Sequence, residues 1–289
     1  MNAPHERNSL KPRYYPVNST SVRLYLIIVF CILSFSSLYS QCFKGNNAFK
    51  DGEFISYTVS YNWGPIWVDA GMVTFSALNE TYQGKPAIHL KSTGKTFPSY
   101  DFFFKVVDYY DAWIDPVTFI AWDFRRTVYE GGYTLINTMH FNHSKQLVYS
   151  NTKTNNNPVR SDTLKQGPCA FDMLSSVYVA RTFNFDGMKP GTLTPVSVMI
   201  DDSIYNIYIK FMGKEIVENK DGAKYHCIKF TAKMVEGTIF RGDEDVVVWV
   251  TDDENKIPIY IQAKILVGTV KAYLKEYKGL RNPMTSLVK

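Results

Sequence analysis

Hydrophobic and polar residues alternate along most of this chain. In EFISYTVSYNW, residues 53–63, the side chains of Ile55, Tyr57, Val59, Tyr61 and Trp63 are apolar or aromatic. Ser56, Thr58, Ser60 and Asn62 between them are polar. A period of two puts successive side chains on opposite faces, so this stretch predicts a β-strand with one buried face. Gly64-Pro65 ends it, because proline has no N–H to give to a ladder. A hairpin follows, with Trp63 and Trp67 expected to pair across its two strands. The same pattern predicts strands at 67–78, 87–91, 106–114, 119–129, 133–141 and 146–150. It returns after Pro195 at 196–200, 205–212, 225–235, 245–251, 258–265 and 269–277. Clusters of Gly, Pro, Asp and Asn punctuate the series.

Between the two β-rich halves the pattern breaks. NTKTNNNPVRSD, residues 151–162, is polar and reads as a loop. DMLSSVYVARTF follows, and Asp172 is placed to cap a helix by accepting backbone N–H groups. Leu174, Val177, Tyr178 and Arg181 fall at i, i+3, i+4 and i+7 and predict one helix face. Many successive strands with short turns imply antiparallel pairing. The expected fold is mainly β: a strongly curved antiparallel sheet or incomplete barrel with one internal helix. A two-sheet β-sandwich is the alternative.

The N-terminus belongs to a different class of segment. Arg7, Lys11, Arg13 and Arg23 precede an apolar run at 24–38, LYLIIVFCILSFSSL. The run falls short of the ~20 apolar residues a membrane helix needs. It fits a signal peptide over residues 1–40, cut after Ser40, with export to the periplasm or the outer-membrane periphery. A retained anchor and lipidation at Cys42 are the rivals. The remainder, 41–289, is expected to form a single β-rich domain whose halves are joined by a loop and helix at 151–192. Losing residues 1–40 leaves 28 of the 32 Lys+Arg against 26 of the 27 Asp+Glu. This near balance, without a clustered basic face, excludes a nucleic-acid footprint.

Few residues suggest chemistry. No GxSxG, phosphate loop, dinucleotide fingerprint or HExxH occurs, so no catalytic residue, cofactor or metal site is assigned and the reading leans away from an enzyme. His140 and His143, three apart in an expected strand, point to opposite faces. The acidic stretches 243–245 and 252–254 lack EF-hand spacing and read as hydrated turns. Of Arg125-Arg126, one must face inward, to pair with Asp108 or Asp111 or to grip an anionic head group. Cys169 and Cys227 are a candidate disulfide, against a buried free thiol at Cys227.

Aromatic residues are abundant, 15% of the chain. They fill a β core, line a cavity for an apolar guest, or form a stacking platform for sugars. Trp63, Trp67, Phe102, Tyr110, Trp113 and Trp122, with Arg125, are the candidate ligand-binding residues.

Several long stretches carry a family likeness. GEFISYTVSYNWGPIWVDAGMVTF (52–75), GKTFPSYDFFFKVVDYYDAWID (94–115), DMLSSVYVAR (172–181) and HCIKFTAKMVEGTIFRGDEDVVVWVTDDENKIPI (226–259) resemble exported bacterial proteins catalogued as domain of unknown function 3108. GTVKAYLKEYKGLRNP (268–283) fits as well. The resemblance implies a β-rich fold in a Gram-negative cell envelope, and no reaction. The expected function is a non-catalytic envelope protein that binds a lipid or other apolar small molecule in the curved sheet. A structural or partner-binding envelope protein without a small ligand, a glycan-binding module and an enzyme with no visible motif are the alternatives.

Overall fold

The computed structural model describes residues 45–289, apart from 64–65, 168, 234–244 and 266–267; of Trp63 and Asp245 it describes the backbone only. The first half of the chain forms β1 (Glu53–Trp63), β2 (Ile66–Tyr82), β3 (Lys85–Thr96), β4 (Val107–Ile114), β5 (Ala121–Glu130), β6 (Tyr133–Asn142), β7 (Leu147–Thr154) and β8 (Arg160–Lys165). Then come the three-residue β9 (Ala170–Asp172) and helix α1 (Met173–Ala180). The second half forms β10 (Leu193–Ile200), β11 (Ser203–Glu218), β12 (Lys224–Lys233), β13 (Asp245–Thr251), β14 (Pro258–Lys264) and β15 (Thr269–Lys278).

All fifteen strands join one sheet, in the order β8 down to β1 and then β15 down to β9. Neighbouring strands are antiparallel except β9 and β10, which are parallel. The sandwich alternative is therefore not what forms. Strands β8 and β9 are the two outer edges, yet only residues 166–169 separate them in sequence. A chain that short reaches about 18 Å at full extension. The sheet must curl until its edges nearly meet, although no ladder joins them.

Side chains fasten this gap. The β10–β11 turn is Asp201-Asp202, with Asp201 at φ 54°, a left-handed conformation that aspartate tolerates. Arg126 of β5 pairs with Asp201, Ser150 Oγ of β7 donates to the Asp201 carbonyl at 2.6 Å, and Arg160 of β8 reaches Asp202.

Helix α1 packs against β3, β4, β9 and β10 inside the curl. Asp172 caps it as expected, accepting from the backbone N–H of Leu174 and Ser175 at 2.9 Å each. Its buried face is Leu174, Ser175, Tyr178 and Val179, whereas Val177 is exposed. The periodicity had placed Val177 inward; the serine replaces it because Ser175 Oγ bonds the Asp172 carboxylate. Tyr178 meets Phe49, whose ring also meets Phe119, at centroid distances of 4.7 and 5.4 Å.

Just past the helix, Arg181 is buried. It grips both carboxylate oxygens of Glu53 at 2.6 and 2.9 Å and donates to the carbonyl of Asn255 at 3.1 Å. One guanidinium thus joins the start of β1, the end of α1 and the β13–β14 turn.

Two sequence expectations change. The polar stretch 151–162 is no loop: β7 runs to Thr154 and β8 begins at Arg160, paired from Thr152↔Arg160 onward. The inward residues there are Ser150 and Thr152, so the strand lacks the apolar alternation that would announce it. Pro195 lies inside β10 rather than before it. It sits opposite Tyr208, ahead of the Ser197–Met199 stretch that β9 covers, so one side of β10 is still an open edge there, where proline is tolerated.

Arg181→Met would strand the Glu53 charge in the core. The expected loss is about 3–5 kcal/mol in urea denaturation, with most of it recovered in the Arg181→Met/Glu53→Leu double variant. A near-neutral single variant would remove this ion pair from the list of ties that hold the fold.

Candidate functional site

One row of mostly small side chains crosses part of the inner face. Gly71 (β2), Val59 (β1), Ala272 (β15), Ile261 (β14), Val248 (β13) and Phe230 (β12) stand opposite one another in succession. Val59, Ala272, Ile261 and Val248 lie two residues from the buried Tyr57, Leu274, Ile259 and Val250, hence on the same, inner face. Apart from Phe230 the row is small and aliphatic. Beyond the buried Gly71 and Phe230, its members stay only half-buried. At Gly71 even one methyl is too large, since a Cβ there would come within 2.5 Å of the Lys95 carbonyl oxygen.

A second set of rings lies on the other side. Trp249, Tyr260 and Tyr273 stack across β13, β14 and β15 at 4.7 and 4.9 Å. Lys229 sits over Trp249, and Lys271 over Trp67 at 4.1 Å. In the first half, Trp113 is enclosed between Tyr82 and His89 at 4.7 and 4.5 Å, and its Nε1–H donates to Glu80 at 2.6 Å. On a convex face side chains diverge, so rings fit and cover each other; on the concave face they converge and crowd.

The sequence-level candidates are accordingly dispersed. Trp67, Trp113 and Arg125 face outward, and Trp122 stacks on His143 at 4.1 Å beneath Lys85. Phe102 is 86% exposed in the β3–β4 connection. The side chain of Trp63 lies outside the described residues. Tyr110 faces inward and packs against the core. The expected tryptophan pair is not in register, because Trp67 faces Asn62 and Trp63 faces Ile66. The inward arginine is Arg126, not Arg125, and its carboxylate partner is Asp201.

A polar row crosses the inner face of β3–β7: Ser92, Tyr110, Arg126, Asn137 and Thr152 are successive cross-strand partners. Sequence reading missed it, because polar residues in a strand are taken to face water. Asn137 is fully buried and its Nδ2 donates to Ser150 Oγ, Thr152 Oγ1 and the Asn151 carbonyl at 3.0, 2.9 and 3.4 Å. Asp108 lies beside the row and accepts from the Tyr129 backbone N–H at 3.2 Å. Burial, reinforced by the nearby Glu130 charge, pushes its carboxyl up to about 7. Burial likewise raises Tyr110 to about 12, with the Asp108 charge adding to it. Two atoms of the row have no partner: Arg126 Nε and Asn137 Oδ1.

Other polar groups are engaged within the protein. His140 meets Asp123 at 3.0 Å, and His89 meets Asp111 at 2.8 Å. Asp252 pairs with Lys214, Asp253 accepts from Thr251 and Asn255, and Glu254 accepts from Asn47. Asp243 and Glu244 lie outside the described residues. Among the described residues no cluster of His, Cys, Asp and Glu is placed to hold a metal, and no helix is long and apolar enough to cross a membrane. The Cys169–Cys227 bridge is not made. Cys227 is a free thiol in the middle of β12 beside Ile259 and Leu274, whereas Cys169, in the β8–β9 link, is disulfide-bonded elsewhere.

These features define an open, barrel-like β protein with, among the described residues, one internal helix. Residues 56–275 match the family described as "Protein of unknown function (DUF3108)", and the chain belongs to that family. It is similar in fold to the crystal structure of a beta-barrel-like protein of domain of unknown function DUF1849 from Brucella abortus. The TM-score is 0.52 at 8% identity, over 80% of this chain and 99% of that one. No curated protein matches the chain.

Cys227, its thiol pushed up to about 12 by burial, should resist alkylation until the protein is denatured, and Cys169 until it is reduced. Peptide mapping after staged alkylation checks both. Asp108 gives a pH signature. Its folded value lies above the unfolded ~3.9, so the folded state holds a proton that the unfolded state has lost. Stability should therefore fall as pH rises from about 4 to about 7 and level off above. Asp108→Asn should flatten that decline by something on the order of 1–3 kcal/mol, read from urea midpoints across pH.

Proposed function

We propose that this is an exported, non-catalytic envelope protein that holds a hydrophobic or amphipathic ligand on the concave face of its sheet. The observation that carries the reading is the row Val59–Ala272–Ile261–Val248, aliphatic and half-buried although it faces inward. Apolar surface left in contact with water costs roughly 25 cal/mol per Å², and an acyl chain laid along the row would remove that cost. The polar row on β3–β7 supplies a place for a head group. Export is supported by the basic-then-apolar leader and by the disulfide at Cys169, which suits an oxidising compartment. The glycan alternative has less in its favour, because Trp113 is already covered on both ring faces by Tyr82 and His89.

A neutral fluorescent alkyl probe, N-dodecyl dansylamide, tests the reading on the purified full chain. Ala272→Trp fills the inner row and should weaken probe binding at least about tenfold, which is 1.4 kcal/mol. Tyr273→Ser, one residue away on the outer face, should leave binding unchanged. Absence of probe binding to the wild-type protein, or equal loss in both variants, would sink the proposal.

A further inference from the structure

Arg126 and Asn137 are direct partners in the β5–β6 ladder, so their Cβ atoms lie about 4.5–5.5 Å apart on the inner face. Both are at least nine-tenths buried: Arg126 is 8% exposed and Asn137 0%. Their remaining atoms are engaged. Arg126 Nη2 pairs with Asp201, and Nη1 donates to Met173 Sδ at 3.5 Å. The Asn137 amide turns Nδ2 toward the Ser150 and Thr152 hydroxyls and the Asn151 carbonyl, which leaves Oδ1 on the other side. The Tyr110 hydroxyl, on the strand on the other side, also bonds the Arg126 guanidinium. This leaves Arg126 Nε and Asn137 Oδ1, on adjacent strands, without a partner. Buried polar atoms left so are costly, and a single small group set between the two would satisfy both.

We infer that Arg126 and Asn137 read the head group of the ligand, and that this head is neutral, with a hydrogen-bond acceptor and a donor side by side, as in an amide or an alcohol. Arg126 Nε–H donates to its oxygen; Asn137 Oδ1 accepts from its N–H or O–H. Charge excludes the other classes. The Arg126 charge is already matched by Asp201, so an anionic head adds an unbalanced charge and has no proton for Asn137. A quaternary ammonium head has nothing to accept from Arg126. The inference rests on the ligand-binding reading above and adds the chemistry of the head.

Displacement of the dansyl probe by four amphiphiles of equal chain length separates the two claims. Dodecanamide and 1-dodecanol should displace it at concentrations at least about tenfold lower than dodecyl phosphate or dodecyltrimethylammonium. Arg126→Lys keeps a cation for Asp201 but removes Nε–H; Asn137→Met removes the acceptor. Either should abolish the preference while the probe itself still binds, and the lysine variant covers the case in which the methionine variant does not fold. Equal displacement by all four, a preference for a charged head, or a preference that survives in the folded variants overturns the head-group assignment and leaves the carrier reading standing. Failure of the probe and of every amphiphile to bind overturns both.

Discussion

Four residues connect the two edges of a fifteen-stranded sheet. That tether makes a flat sheet impossible, and the consequences follow from it. The sheet curls, its inner side chains converge and its outer ones diverge. On the concave side a row of glycine, alanine, valine and isoleucine crosses β1, β2 and β13–β15 beside the buried Tyr57 and Leu274, and Trp249, Tyr260 and Tyr273 stack on the convex side. The tether also brings β5, β7 and β8 within reach of the β10–β11 turn, where Arg126 and Arg160 meet Asp201 and Asp202.

Inside the curl, space is filled unequally. Around α1 the core is dense, with Phe49, Phe119, Phe124 and Tyr178 essentially inaccessible. The Arg181–Glu53 pair locks this region by joining segments 128 residues apart. Across β3–β7 the inner face turns polar, and across β13–β15 and β1 it is aliphatic but incompletely covered.

The strands themselves were largely legible. Alternation located all but β8 and the three-residue β9, and Asp172 marked the start of the helix. Legibility failed where inward residues are polar: Ser92, Asn137, Ser150 and Thr152 look like solvent-facing residues in a list of letters, so β3 and β7 seemed shorter than they are and β8 was invisible. It failed again for the aromatics. Tyr110 faces inward, but Trp67, Trp113 and Arg125 lie on the opposite face, because rings that stack on one another need no core to bury them.

Local order came from the sequence alone: the positions of most strands, their antiparallel pairing, the capped helix and the absence of familiar catalytic motifs. Each of these depends on residues a few positions apart. Which face is concave, which of Arg125 and Arg126 turns inward, which carboxylate each buried arginine meets and why Cys169 does not join Cys227 were decided by tertiary structure. A period of two labels the faces of a strand without saying which way the sheet bends. The bend is set by closure between edges that lie at opposite ends of the strand order.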